Sequence, residues 1–129
     1  MNADLLQGLY LALSPTSILA TALGALHGLI SGMMPGLTTS AGIIILFPIT
    51  FILEPTTAVA LLLGVFVGGM TGGSFAAILI NIPGSPSASA TTLDGFPLTQ
   101  KGEAGRALGI SIMSGFTGGL FSFCCLLLI

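Results

Sequence analysis

Residues 58–87 read AVALLLGVFVGGMTGGSFAAILI from Ala58 to Ile80 and then NIPGSPS from Asn81 to Ser87, and the contrast between the two halves decides the fold. The first half carries no charge and is apolar or small on every side of a helix. A core helix of a water-soluble domain keeps a polar face for solvent, whereas uncharged apolar runs of about 18 or more residues read as transmembrane helices. The second half cannot continue that helix. Pro83 and Pro86 remove amide donors and Gly84 favours a turn, so carbonyls near Asn81 lose their intrahelical partners. At membrane depth, such backbone is tolerated only where it is buried in protein or lines a wet cavity.

The flanking sequence has the same character. Between Asp4 and Asp94 the only Asp, Glu, Lys, Arg or His side chains are His27 and Glu54. The 129 residues are 53% hydrophobic and 5% charged, with a mean hydropathy of +1.11, against about 25% charged residues in soluble domains. A formal net charge of −2 supplies neither a basic patch for nucleic acid nor a polybasic segment for anionic lipid. Cys124 and Cys125 are neighbours in an apolar run, where a mutual disulfide would be strained, so they carry no information about redox compartment. The start, Met1-Asn2-Ala3-Asp4, lacks the positive region of a secretory leader, and no cleavage is expected there.

Four apolar segments follow a short first one. Leu5 to Ser14, ended by Ser14-Pro15, suits an interfacial helix and is too short to span. A first span is expected from Thr16 to Met34, a short or broken one from Leu37 to Leu53 with Pro48 inside it, a third from Ala58 to Ile80, and a last from Leu108 onward. The expected class is all-α: a polytopic membrane protein of about four transmembrane segments with broken or re-entrant helices, part of a larger transporter fold. Gly24, Gly28, Gly32 and, just past the end of the first span, Gly36 recur every fourth residue, as do Gly64, Gly68 and Gly72, Gly105 and Gly109, and Gly115 and Gly119. Such ladders let helices approach where lipid provides no hydrophobic drive, or let backbone bend or approach a ligand. Glu54 precedes Pro55 at a helix start and is read as an interfacial cap, the alternative being an intramembrane carboxylate for a coupling cation or proton.

Two breaks share one pattern. Ser31-Gly32-Met33-Met34-Pro35-Gly36 is trailed by Thr38, Thr39 and Ser40, and Asn81-Ile82-Pro83-Gly84 by Ser85 and Ser87. A helix restarting after a break turns free N–H groups into the gap, a site for an anionic group. The stretch running on through Thr91 and Thr92 to the Asp94-Gly95-Phe96-Pro97 loop offers hydroxyls, an amide and a carboxylate, oxygen ligands suited to sodium or to a carboxylate substrate. The plainer reading is a loop of turn formers. Lys101, Glu103 and Arg106 form the hydrophilic loop, cytoplasmic by the positive-inside rule, with the side of the N-terminus left open.

These strings carry a resemblance. Gly32-Met33-Met34-Pro35-Gly36-Leu37, Glu54-Pro55-Thr56, Gly68-Gly69-Met70-Thr71-Gly72-Gly73-Ser74, Ala77-Ile78-Leu79-Ile80-Asn81-Ile82-Pro83-Gly84, Thr91-Thr92-Leu93-Asp94-Gly95-Phe96-Pro97 and Arg106-Ala107-Leu108-Gly109 resemble the large permease subunit of tripartite tricarboxylate transporters, the TctA family. On this resemblance residues 1–129 are expected to be the N-terminal part of a single transmembrane permease domain, since such permeases are several times longer and the chain stops inside an apolar run. The resemblance implies a secondary transporter of the bacterial cytoplasmic membrane. It would take citrate-like or other carboxylates from a periplasmic solute-binding protein, pair with a small membrane subunit, and use a sodium or proton gradient with no other cofactor. Family motif positions include Pro35, Gly36, Ser74, Asn81, Pro83, Gly84 and Asp94. The residues expected to contact substrate or ion are Asn81, Ser85 and Ser87 from the second break and Thr38 and Thr39 from the first. Ser74 is a further candidate, and Asp94 is expected to position the loop or bind a cation.

Other classes fit less well. Gly73-Ser74 with His27 could sketch an intramembrane serine protease, but a dyad needs hydrogen-bond reach and an oxyanion hole. His27 is read as a packed histidine bonded to a carbonyl, with proton coupling as the alternative. Ser85 to Thr92 lacks the Gly-Lys-Ser/Thr of a phosphate loop. A structural membrane subunit without a substrate would need the glycine ladders, yet has no reason to carry two Pro-Gly breaks with clustered hydroxyls.

Overall fold

The structure, a computed structural model, describes residues 2–128, with side chains from Gln7 to Leu126. Helix follows helix: α1 (Asn2–Ala12), α2 (Pro15–Met33), α3 (Thr39–Leu46) running into a 3-10 segment (Phe47–Ile52), α4 (Pro55–Ile80), a 3-10 turn (Pro86–Ala88), α5 (Ser89–Gln100) and α6 (Ala104–Leu128). Each start has a local cause. Ser14 caps α2 by accepting from Ser17 N at 3.3 Å, with Pro15 in the first turn where its missing N–H costs nothing. Thr38 caps α3 by accepting from Ala41 N at 3.3 Å. Glu54 stands at the N-cap of α4, but its carboxylate makes no capping hydrogen bond, so the cap expected there is one of position only.

Among the described residues, three helices are long and apolar enough to cross a membrane: Pro15–Met33, Pro55–Ile80 and Ala104–Leu126. The expected fourth segment is the short arm Thr39–Ile52. Pro48 cannot donate to Ile44 O, and the α-helix tightens to 3-10 geometry just before it.

The centre of the molecule is the crossing of α2 and α4, built by the first two glycine ladders. A Cβ on Gly24, Gly28 or Gly32 would collide with the carbonyl oxygens of Leu61, Val65 and Gly69, respectively. Reciprocally, one on Gly64, Gly68 or Gly72 would strike those of Thr21, Ala25 and Leu29. Backbone therefore lies on backbone, and dispersion over the whole contact holds the pair. Gly36 is not a fourth rung. With φ at +91° and open space around it, it forms the turn after α2. Around the crossing are buried Ala20, Leu61, Val65, Ala76, Ala77 and Ile78, while Leu19, Phe51 and Ile52 point outward at 64%, 76% and 84% exposure. An inside of small residues and an outside of large apolar ones suits lipid, which is as apolar as leucine.

The stretch read as an Asp94–Pro97 loop is helical, in α5, with Pro97 inside. Tertiary contact overrides the local signal here. Gly95 is buried so closely on Ile78 that a Cβ would overlap its side chain, and the Thr99 hydroxyl donates to Ile78 O at 2.7 Å. After Gly102, at φ +81°, α6 begins at Ala104, four residues earlier than expected, with Arg106 paired to Glu103 at 2.9 Å on the surface.

A glycine junction and a hydroxyl-lined cleft

Both Pro-Gly breaks close on one stripe of α4. Gly69 and Gly73, one turn apart on the same helix face, are the contact points. A Cβ on Gly69 would overlap the Thr39 side chain from the first break, and one on Gly73 would lie 3.2 Å from Ser85 Oγ in the second. Gly84 fits between the Gly32 carbonyl and the Gly73 Cα, and its N–H reaches Gly73 O at 3.4 Å. Gly32, Gly69, Gly73 and Gly84 thus form one junction at which the end of α2, the middle of α4 and both irregular segments meet. Thr39 is 8% exposed, and its hydroxyl oxygen is buried with no hydrogen-bond partner among the described residues.

Beside the junction, α4, the 3-10 turn, α5 and α6 enclose two adjoining cavities. The larger, about 570 Å³, exposes the hydroxyls of Thr71, Ser74, Ser87, Thr91, Ser111 and Ser114. The smaller, about 350 Å³, shares Thr91, Ser111 and Ser114 and adds Asp94. Both fall within the ~300–1,000 Å³ range of small-molecule sites. Many of the hydroxyls are anchored locally: Ser74 donates to Met70 O at 3.3 Å, Ser114 to Ser111 O at 2.9 Å, Ser85 and Ser87 share a bond of 3.0 Å, and Ser87 lies 3.8 Å from Met70 Sδ. Each such oxygen still has lone pairs to offer, and a hydroxyl can rotate its proton toward an incoming oxygen.

The residues singled out in the sequence separate into three groups. Ser74 and Ser87 line the larger cavity, Ser85 is bonded to Ser87 at its edge, and Asp94 lines the smaller. Thr38 and Thr39 lie at the other break, where Thr38 caps α3 and the Thr39 side chain lies against Gly69. Asn81 lines neither cavity. It is the exposed C-cap of α4 in the left-handed region, φ 59° and ψ 25°, a conformation asparagine tolerates better than most residues. Pro35 and Gly36 are exposed turn residues, and Pro83 is exposed in the irregular segment after α4. Missed by the sequence reading were Thr71, Ser111 and Ser114. The last two stand three apart on α6, which places them on one helix face, but nothing local marks that face as the one turned to α4. Ser74 and His27 line different cavities, and His27 Nε2, read in the sequence as bonded to a carbonyl, has no hydrogen-bond partner among the described residues.

No solved structure matches this chain. It is 39% identical over 117 residues to an uncharacterized 52.8 kDa protein in the TAR-I ttuC' 3'region of Agrobacterium vitis, covering 91% of this chain and 23% of that protein. The chain thus spans about a quarter of the length of this relative. Residues 18–129, which contain both breaks, the junction and the cleft, match the family described as the tripartite tricarboxylate transporter TctA family. The chain, a multi-pass helical membrane protein, belongs to that transporter family.

Proposed function

We propose that this chain forms part of the substrate pathway of a binding-protein-dependent secondary transporter for tricarboxylates or related organic carboxylates, driven by a sodium or proton gradient. The observation that carries this reading is the hydroxyl-lined cleft of Thr71, Ser74, Ser87, Thr91, Ser111 and Ser114 in a protein of this family. Hydroxyl protons can replace water around carboxylate oxygens one for one, which lowers the cost of taking a polyanion out of bulk water. Among the described residues no Lys or Arg lines the cleft, and Asp94 lines the adjoining cavity. Neutral donors beside a carboxylate favour an anion that travels with a cation, because the cation offsets repulsion from Asp94 and is held by oxygen ligands of the kind sodium takes.

The partners on this reading are a periplasmic solute-binding protein that delivers substrate, a small membrane subunit and the bacterial inner-membrane lipid. Nucleic acid is not among them. The test is uptake of a labelled tricarboxylate panel by cells expressing the gene carrying this chain with its binding-protein and small-subunit genes, with and without a sodium gradient. Uptake that needs the binding protein, falls at least tenfold in a Ser74→Ala, Ser87→Ala double variant and leaves membrane insertion intact is the expected result, since two lost hydrogen bonds to a charged ligand are worth about 3 kcal/mol or more. Unchanged uptake in that variant would remove the cleft from the pathway.

A further inference from the structure

A third cavity is separate from the two of the hydroxyl cleft, sharing none of their lining residues. It has about 490 Å³, lies between α2, the Thr39–Ile52 arm and α4, and is walled by Leu19, Leu23, Leu46, Ile49, Leu53 and Leu61. One of its lining residues is His27, whose Nε2 is buried without a hydrogen-bond partner among the described residues. An unpaired buried nitrogen is costly, so an occupant that bonds to it is favoured. Water alone is a poor one, since a buried water wants two to four polar partners. The other polar wall groups, Thr16 and Thr57, lie toward the opposite end, and the Thr16 hydroxyl is already paired with Ser14 at 3.1 Å. Thr16 and His27 are eleven residues apart on α2, about 16 Å along the helix, so the cavity is a slot with apolar walls and one open hydrogen-bonding group near its inner end. Leu19 and Leu23, 64% and 62% exposed, leave its side open.

We propose that this slot binds a single-chain amphiphile drawn from the bilayer, its chain along α2 and its one hydrogen-bonding head, a hydroxyl or protonated carboxyl, on His27 Nε2. Chain length follows from the slot and head chemistry from the imidazole, which exchanges one hydrogen bond and offers no charge partner nearby for an ionic headgroup: the walls contributed by α2, the arm and α4 hold no Asp, Glu, Lys or Arg. This site is independent of the carboxylate reading of the hydroxyl cleft.

The test uses the full chain in phosphatidylcholine nanodiscs with a diazirine-bearing dodecanol as probe, followed by peptide mapping. Labelling is expected to concentrate on residues of α2 and the arm, to be competed by unlabelled 1-dodecanol, and to be competed less well by dodecane, which has no head. His27→Leu keeps an apolar side chain there and is expected to weaken competition by dodecanol about 3- to 10-fold, the loss of one hydrogen bond. Leu23→Trp, at an exposed position that tolerates bulk, is expected to block the slot and abolish competable labelling while the helical circular dichroism is unchanged. Labelling spread evenly onto α6, or dodecane competing as well as dodecanol with His27→Leu having no effect, would overturn the proposal.

Discussion

The glycines of α2 and α4 and those of α6 follow the same four-residue spacing and behave oppositely. On α2 and α4 every rung faces a backbone carbonyl of the other helix. On α6, Gly105, Gly109, Gly115 and Gly119 have nothing near enough to meet a Cβ. The spacing therefore marks a face that can be approached closely, and only a partner turns it into an interface. The α4 sequence shows what a fully used face requires. Its doublets Gly68-Gly69 and Gly72-Gly73 make two neighbouring ladders, one against α2 and one against the two breaks, so a single helix is pressed closely on two sides.

The sharpest way to break this comparison is Gly28→Leu. A side chain there must displace the Val65 carbonyl and the Gly69 amide from the centre of the crossing, and a loss of about 3 kcal/mol or more is expected, the upper end of overpacking costs. An SDS titration in mild detergent followed by circular dichroism measures it; a midpoint within error of the parent would mean that the two helices do not cross where the structure places them. Gly84→Ala asks whether the junction is as tight as the ladder. With the Gly32 carbonyl and Gly73 Cα on either side, about 1–3 kcal/mol is expected, and the same titration should also show faster proteolysis near residues 81–88.

Thr38→Ala separates steric closeness from helix-end chemistry. Removing the oxygen that accepts from Ala41 N should cost about 1 kcal/mol, with Thr38→Ser restoring it; equal stability of the alanine and serine variants would show that the cap contributes nothing. The smallest effect belongs to Gly109→Leu on α6, expected within about 0.5 kcal/mol of the parent because a Cβ there would meet nothing within 4 Å. A loss there as large as at Gly28 would show that the α6 face is covered, and the contrast between the two regions would fall.

Much of the fold was legible because membrane insertion is governed by local quantities. The run of uncharged residues from Ala58 to Ile80 is a span whatever surrounds it, and the proline-glycine pairs stop α2 and α4 within one residue of the expected ends. Where a local signal competed with packing, the reading failed. Asp94-Gly95-Phe96-Pro97 has the composition of a loop, yet Gly95 on Ile78 and Thr99 on the Ile78 carbonyl hold it in α5.

Of the candidate site, the sequence supplied Ser74, Ser85, Ser87 and Asp94 because they follow or precede a break that must be wet or protected. It could not supply Ser111 and Ser114, which lie on a helix more than twenty residues away, nor show that the Thr38 oxygen accepts from Ala41 N as a helix cap. By itself, the sequence determined a helical membrane protein with two broken helices, since hydrophobicity, missing amide donors and glycine spacing act over a few residues. The tertiary structure alone decided which glycines have partners, that both breaks meet at Gly69 and Gly73, and which hydroxyls share a cavity. Those outcomes depend on where and at what angle helices cross, which is set by the summed contacts of whole faces rather than by any one motif.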